Sequence, residues 1–377
     1  MSTSSLADTL VLWQEGEQSR QALWRSENHS KPPARVQVAD DSIKADHAYR
    51  LACEGTALLW RGDFQNARQL LQAMARRVDR KPAKTSVQPV EAFNLHRQAQ
   101  AQRARVLGML LVELGLDYTI ALRRAPDVRE ACLQAYGDAG QPSVVSLREL
   151  HGVIGAYEWR KKGVEVAALG ARIHPHYGVF SPVRGEYVDL VAQAPLPDNA
   201  LAFDIGTGSG VLAAVLAKRG VRKVIATDQD ARALACAREN MQRLGLEAQV
   251  EVMECNLFPP GKALLIVCNP PWIPAKANAA IEYAIYDPAS AMLKGFLNGA
   301  SAHLAPGGEA WLILSDIAEH LGLRTREQLL AMVEEAGLKV IEKLDIRPRH
   351  GRASDQADPL HRARSAEVTS LWRLAAV

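Results

Sequence analysis

From residue 170 onward the chain alternates between two hydrophobic periods. Short apolar runs at 201–204, 223–227, 249–253, 264–268 and 309–315 lack helical spacing and predict buried strands. Between and after them, 211–219, 230–244, 289–304 and 324–336 repeat apolar residues every three or four positions and predict helices. Strands that alternate with helices imply a parallel sheet covered on both faces. Two last strand-like runs, 338–346 and 367–374, have no helix between them and predict an antiparallel pair. The expected second half is therefore one mixed, seven-stranded sheet.

The first half reads differently. Phe64, Ala67, Leu70, Leu71 and Met74 recur at helix spacing after Asp63, whose short acceptor side chain suits an N-cap. The run up to Trp60, the Arg61-Gly62 turn and this helix are expected to form a helical hairpin. Residues 95–114 predict another long helix that stops near Gly115. With no strand–helix alternation, 44–168 is expected to be an all-α domain that recognises substrate. Residues 1–43, polar and broken at Lys31-Pro32-Pro33, are expected to form a loose arm, leaving 169–377 as the α/β domain.

Composition narrows the class. A 377-residue chain with 48% hydrophobic residues is long enough for two domains and too apolar to be largely disordered. It has no apolar run of membrane-spanning length, and its N-terminus lacks the basic start of a secretion signal. The five cysteines form no CxxC pair, so reduced thiols and a cytoplasmic location are expected. Net charge is only +3 but uneven. Residues 51–110 hold ten Lys/Arg against four Asp/Glu, and 347–364 hold five Arg against two Asp. Such islands fit either a polyanionic partner, such as RNA or the ribosome, or ordinary solvated faces.

Two segments carry chemistry. In FDIGTGSG, Asp204 ends a strand and Gly206, Thr207, Gly208 and Gly210 lead into a helix, a turn that lets a ligand approach the backbone. Asp228 ends the next strand, 24 positions later, where a carboxylate can accept both hydroxyls of a ribose. This spacing alone fits NAD as well as S-adenosylmethionine. In LIVCNPPW, two prolines stiffen the chain after Asn269. That turn can aim the Asn269 side-chain carbonyl and the Pro270 backbone carbonyl at one planar NH2 group, with Trp272 stacked on its face. Such a clamp orients a weak nucleophile and demands no general base, because the nitrogen can lose its proton after the methyl arrives. His174 and His176 in HPH lack a third partner at metal-ligand spacing, so a rigid loop is expected there and no metal.

The run FDIGTGSGVLAAVLAKRG…VIATDQDARALACARENMQRLGL resembles the first two motifs of class I S-adenosylmethionine-dependent methyltransferases. The resemblance implies a Rossmann-like sheet and S-adenosyl-L-methionine as cofactor. It also implies that Asp204 organises the loop near the cofactor's amino-acid end and that Asp228 binds the ribose. Asn256 stands where that family usually has an acid facing the adenine. NPPW is similar to the [ND]-P-P-[YFW] motif of N-methyltransferases that act on glutamine amides or on exocyclic amines of adenine and guanine. HYGVFSPVRGEY, with Phe180 as a candidate substrate contact, resembles the small-domain methyltransferases of ribosomal RNA. The segment after NPPW resembles the release-factor and ribosomal-protein glutamine methyltransferases.

The resemblance covers about half the chain and implies methyl transfer to a planar nitrogen. A glutamine in a translation protein is the leading substrate and an RNA base amine the alternative. A small-molecule methyltransferase, a nicotinamide-dependent reductase and a non-catalytic adaptor are further rivals; only the last two leave NPPW without a role. Arg349, Arg352 and Arg362, in the long basic loop between the final strands, either grip the macromolecule or are merely solvated.

Overall fold

The computed structural model describes residues 10–80, 84, 86–183, 185–277, 282, 284–348, 355 and 358–377. It divides into two compact units: Met1–Thr85 with Asn94–Glu158, and Ser86–Phe93 with Trp159–Val377.

The first unit runs β1 (Leu10–Glu15), β2 (Gln18–Arg25), β3 (Arg35–Ala39), α1 (Ala45–Cys53), β4 (Thr56–Trp60) and α2 (Phe64–Asp79). It continues with α3 (Pro89–Leu107), β5 (Leu110–Leu114), α4 (Arg129–Tyr136), β6 (Ser143–Ser146) and α5 (Leu147–Lys162). The start of α3 and the end of α5 belong to the second unit. Six strands form one mixed sheet in the order β1-β2-β6-β5-β4-β3, with β3, β4 and β5 parallel. Val11, Trp13, Ala57, Leu59, Leu111 and Val144 build a core against it.

This overturns the all-α expectation for 44–168 and the loose arm at 1–43. The strands TALLW, LLVEL and SVVS are short and almost wholly buried. A run buried on both faces has no alternation, so its pattern cannot be told from a piece of buried helix. The helix expected over 95–114 ends at Leu107; the chain turns at Gly108 and Met109 and re-enters the sheet at Leu110. The run up to Trp60 that precedes α2 is likewise a strand, β4, and not a helix. In the supposed arm, β1 buries Val11 and Trp13 and turns Leu12 and Gln14 outward, so its apolar run is a half-exposed strand. Asp63 does cap α2, accepting the Gln65 N–H at 2.8 Å. Three arginines of the basic stretch are paired: Arg61 with Glu15 and Glu113, Arg77 with Asp46, and Arg103 with Asp79.

The second unit opens with the hairpin β7 (Val164–Val166) and β8 (Ala171–Ile173), then α6 (Glu186–Gln193). There follow β9 (Leu201–Ile205), α7 (Val211–Lys218), β10 (Lys223–Asp228), α8 (Ala231–Leu244), β11 (Val250–Glu254) and β12 (Ala263–Cys268). The rest is α9 (Ala291–His303), β13 (Leu304–Ser315), α10 (Ile317–His320), α11 (Arg326–Glu335), β14 (Leu338–Ile346), α12 (His361–Ala366) and β15 (Thr369–Ala376). The seven-stranded sheet has the order β11-β10-β9-β12-β13-β15-β14. Its first five strands are parallel, and β15 lies antiparallel to both neighbours as expected, although a short helix, α12, stands between β14 and β15 where the pattern predicted none. Leu265 and Val267 of β12 face one core and Ile266 and Cys268 the other. Burial on both faces is why this run reads as continuously apolar. Among the described residues, no helix is long and apolar enough to cross a membrane.

Candidate active site

The chain leaves β9 for β10 and β11 on one side, then crosses to β12 on the other. Ligands in open α/β sheets bind at the carboxyl ends of strands where the order reverses in this way. Thr227, Ile205 and Cys268 lie level in register on β10, β9 and β12. The next residues along the chain are Asp228, Gly206 and Asn269. Three strands span about 10 Å at the usual strand spacing, so these residues leave the sheet side by side.

Asp204 braces the glycine turn from behind. It is 1% exposed, and its Oδ2 accepts the Thr207 hydroxyl at 2.6 Å and the Ala213 N–H at 3.1 Å. Gly208 has φ +55° and nothing within 4 Å of where a Cβ would stand, so the turn offers open space on that side. Gly210 caps α7 in the left-handed region, where a Cβ would press on Ala237 and Met241. Asp228 Oδ2 accepts the Gly208 N–H at 3.0 Å, and its Oδ1 accepts the Asp230 N–H at 3.0 Å. Burial raises its pKa, opposed by these hydrogen bonds. Each carboxylate oxygen keeps a lone pair for a hydroxyl donor. Open space over Gly208 beside such a carboxylate fits a nucleoside cofactor. Asn256, two residues past β11, is exposed; the neighbouring Cys255 N–H is held by the Asp228 carbonyl at 3.0 Å.

In the NPPW turn, Pro270 is buried and Asn269 and Trp272 are partly buried. The Trp272 indole packs against hydrophobic clusters that include Ile317, Leu321 and Phe296. Its Nε1–H donates to Asn269 Oδ1 at 2.9 Å. The motif's spacing points to a stacking role for the indole and carries no sign of this bond.

The HPH loop is tied to α8. The His174 N–H donates to Asn240 Oδ1 at 2.8 Å, and Asn240 Nδ2 reaches the Ser209 carbonyl at 3.0 Å, joining this loop to the glycine turn. His176 Nε2 pairs with Glu239 at 2.6 Å, and Arg160 and Arg243 bind the same carboxylate. Burial alone would raise Glu239, but these hydrogen bonds hold it at about 2. Phe180 is half-buried against the core beneath α7. Arg362 is exposed on α12, whereas Arg349 and Arg352 lie outside the described residues.

Sequence reasoning missed Asp287. Its carboxylate caps α9, accepting the N–H groups of Met292 at 2.9 Å and Leu293 at 3.0 Å. Its own N–H donates to the Ile273 carbonyl at 2.8 Å, next to Trp272. Between cap and helix, Ala289 and Ser290 adopt φ +56° and +55°, a costly conformation for non-glycine residues that marks a tightly determined corner. The signal was present as an Asp-Pro pair just before a helical pattern.

Burial raises the Asp204 carboxyl to about 6, the hydrogen bonds from Thr207 and Ala213 opposing it and the charge of Asp228 adding to it. A raised carboxyl favours the folded state when protonated. Its ionisation therefore costs stability that is intact below pH 3.8 and lost above about pH 6. In Asp204→Asn that cost disappears, so its stability relative to the native chain should rise by about 2 kcal/mol between pH 4 and pH 7. Denaturant titrations at the two pH values check this; a pH-independent difference would refute it.

Residues 170–336 match the family described as the small domain of methyltransferases. A release factor glutamine methyltransferase of Cereibacter sphaeroides is 34% identical over 183 residues, 44% of this chain and 63% of that protein. One of Xylella fastidiosa is 37% identical over 227 residues, 53% of this chain and 78% of that protein. A ribosomal protein L11 methyltransferase of Pelotomaculum thermopropionicum is 37% identical over 144 residues, 37% of this chain and 39% of that protein. The chain thus spans less than two thirds of some of these relatives. By its likeness to the Xylella fastidiosa protein over most of that protein's length, the chain belongs to the family of S-adenosylmethionine-dependent methyltransferases that includes the release factor glutamine methyltransferases.

Proposed function

We propose that this protein transfers a methyl group from S-adenosylmethionine to the side-chain nitrogen of a glutamine in a translation protein, of the release-factor kind, in the cytoplasm. The observation that carries the reading is the level alignment of Asp228, Gly206 and Asn269 at the reversal point of the sheet. Asp228 and the open turn at Gly208 would hold the cofactor's ribose, with Asp204 and Thr207 keeping the turn in shape. When bound, the cofactor supplies a methyl group on a sulfonium, whose departure leaves a neutral thioether.

The remaining work falls to this chain. An amide nitrogen is a poor nucleophile, so its orientation matters most. Asn269 Oδ1 and the Pro270 carbonyl would accept its two hydrogens, turning the nitrogen toward the cofactor side of the crevice. A carboxamide oxygen that accepts a hydrogen bond also stabilises positive charge growing on that nitrogen. The new N–C bond forms as the S–C bond breaks, and the nitrogen sheds one proton to water afterwards. The relatives' names favour a protein substrate. Pairing of Arg61, Arg77 and Arg103 with carboxylates leaves fewer free cations in 51–110 for RNA.

The test is transfer of labelled methyl into a lysate of cells lacking the gene, followed by separate protease and RNase digestion. The reading expects label that protease releases and RNase leaves. Label that RNase releases would transfer the assignment to an RNA base amine.

A further inference from the structure

We infer that the Trp272 indole N–H locks the orientation of the Asn269 carboxamide, making Trp272 a positioning residue as well as a wall of the site. An indole nitrogen only donates, so the group 2.9 Å from it on Asn269 must be the oxygen. A carboxamide's two ends are nearly equal in size but opposite in polarity, and a half-turn about its last bond would present N–H donors in place of an acceptor. Such a flip would repel the hydrogens of a target NH2 group. The turn itself cannot prevent it, because the prolines fix the backbone and leave the Asn269 side chain free to rotate. The bond from Trp272 does prevent it, since the flipped state would set Nδ2–H against the indole N–H.

The indole is well placed to act as an anchor. It is packed against side chains of several clusters, and the following residue, Ile273, exchanges backbone hydrogen bonds with the segment ending at Asp287. The neighbouring Ile273 N–H donates to the Ile285 carbonyl at 3.1 Å. The donor is therefore held by rigid surroundings, and the amide aligns to it. One of the two acceptor directions of Asn269 Oδ1 is thereby filled. The target nitrogen receives the other, so a single hydrogen is taken by Asn269 and the second falls to the Pro270 carbonyl. Phe at this motif position would provide the flat face without the lock; the tryptophan supplies both.

The role rests on the methyl-transfer reading, but the lock exists in the free protein and is testable there. In Trp272→Phe, the flat face remains and the N–H is lost. Turnover should fall about tenfold or more, while cofactor affinity and substrate KM change less than about threefold. In an Asn269→Ala background the same substitution should have no further effect on turnover, since nothing remains to be oriented. A purely packing role for the indole would instead lower turnover equally in both backgrounds. Independently of turnover, the Trp272 indole 1H–15N resonance of the free protein is followed by NMR, without cofactor or substrate. It should shift toward the position of an unbonded indole in Asn269→Ala. Unchanged turnover in Trp272→Phe, or an indole resonance indifferent to Asn269→Ala, overturns the lock. If the lock stands and no protein is methylated, the substrate reading alone fails.

Discussion

Asn269→Ala is expected to bind S-adenosylmethionine as the native protein does, within about twofold, and to turn over about 100- to 1,000-fold more slowly. The prediction follows from where Asn269 leaves the sheet: one residue past Cys268, level with Ile205, and beside the glycine turn without being part of it. On the proposed reading it serves the reacting nitrogen and not the cofactor's ribose. Removing one preorganised dipole from a water-poor site costs about 3–4 kcal/mol in the barrier. Asn269→Asp keeps an acceptor and should retain more activity than the alanine variant. Single-turnover kinetics separates the two effects. A variant that loses cofactor binding in proportion to activity would show that Asn269 serves the cofactor and not the nitrogen.

Asp228→Ala should do the reverse, weakening cofactor binding by about 100-fold or more before any chemistry is reached. Two hydroxyl donors to one carboxylate make two charge-assisted bonds, each worth about 1.5–3 kcal/mol. The same oxygens hold the Gly208 and Asp230 N–H groups, so the glycine turn loses one tie to β10 and keeps the Thr207 N–H on the Thr227 carbonyl. Asp228→Asn preserves one acceptor and should fall between the native protein and the alanine variant. Calorimetric titration with S-adenosylmethionine reads this directly. Affinity unchanged in Asp228→Ala would remove the ribose from this carboxylate.

Much of the second unit was legible because its signals are local. The change of hydrophobic period marked the strands and helices from β9 to β14 except the one-turn helix α10, and the alternation required a parallel sheet whose loops gather at one edge. The glycine turn and NPPW are each contiguous, so their chemistry survives reading in one dimension. Their side-by-side placement needed only the topology. The first unit resisted for a physical reason. In β4, β5 and β6, strands of four or five residues are buried on both sides and joined closely to helices, so no alternation remained to separate strand from helix. Trp13 on β1 closes the short apolar run Leu10-Val11-Leu12-Trp13, and only the sheet shows that Val11 and Trp13 turn inward while Leu12 turns out. Within the site, the bond from Trp272 to Asn269 depends on side-chain rotation, and Asp287 on a fold-back of the chain to Ile273. Neither is encoded in spacing.

A crystal structure of the protein with S-adenosylhomocysteine, the spent thioether, would decide whether the crevice between β9 and β12 brings a methyl donor to a nitrogen held by Asn269. The ribose hydroxyls are expected on Asp228, the backbone of the Gly206–Gly210 turn against the ligand, and the sulfur facing Asn269 and Trp272. A thioether bound elsewhere, or with its sulfur turned away from the NPPW turn, would contradict this arrangement.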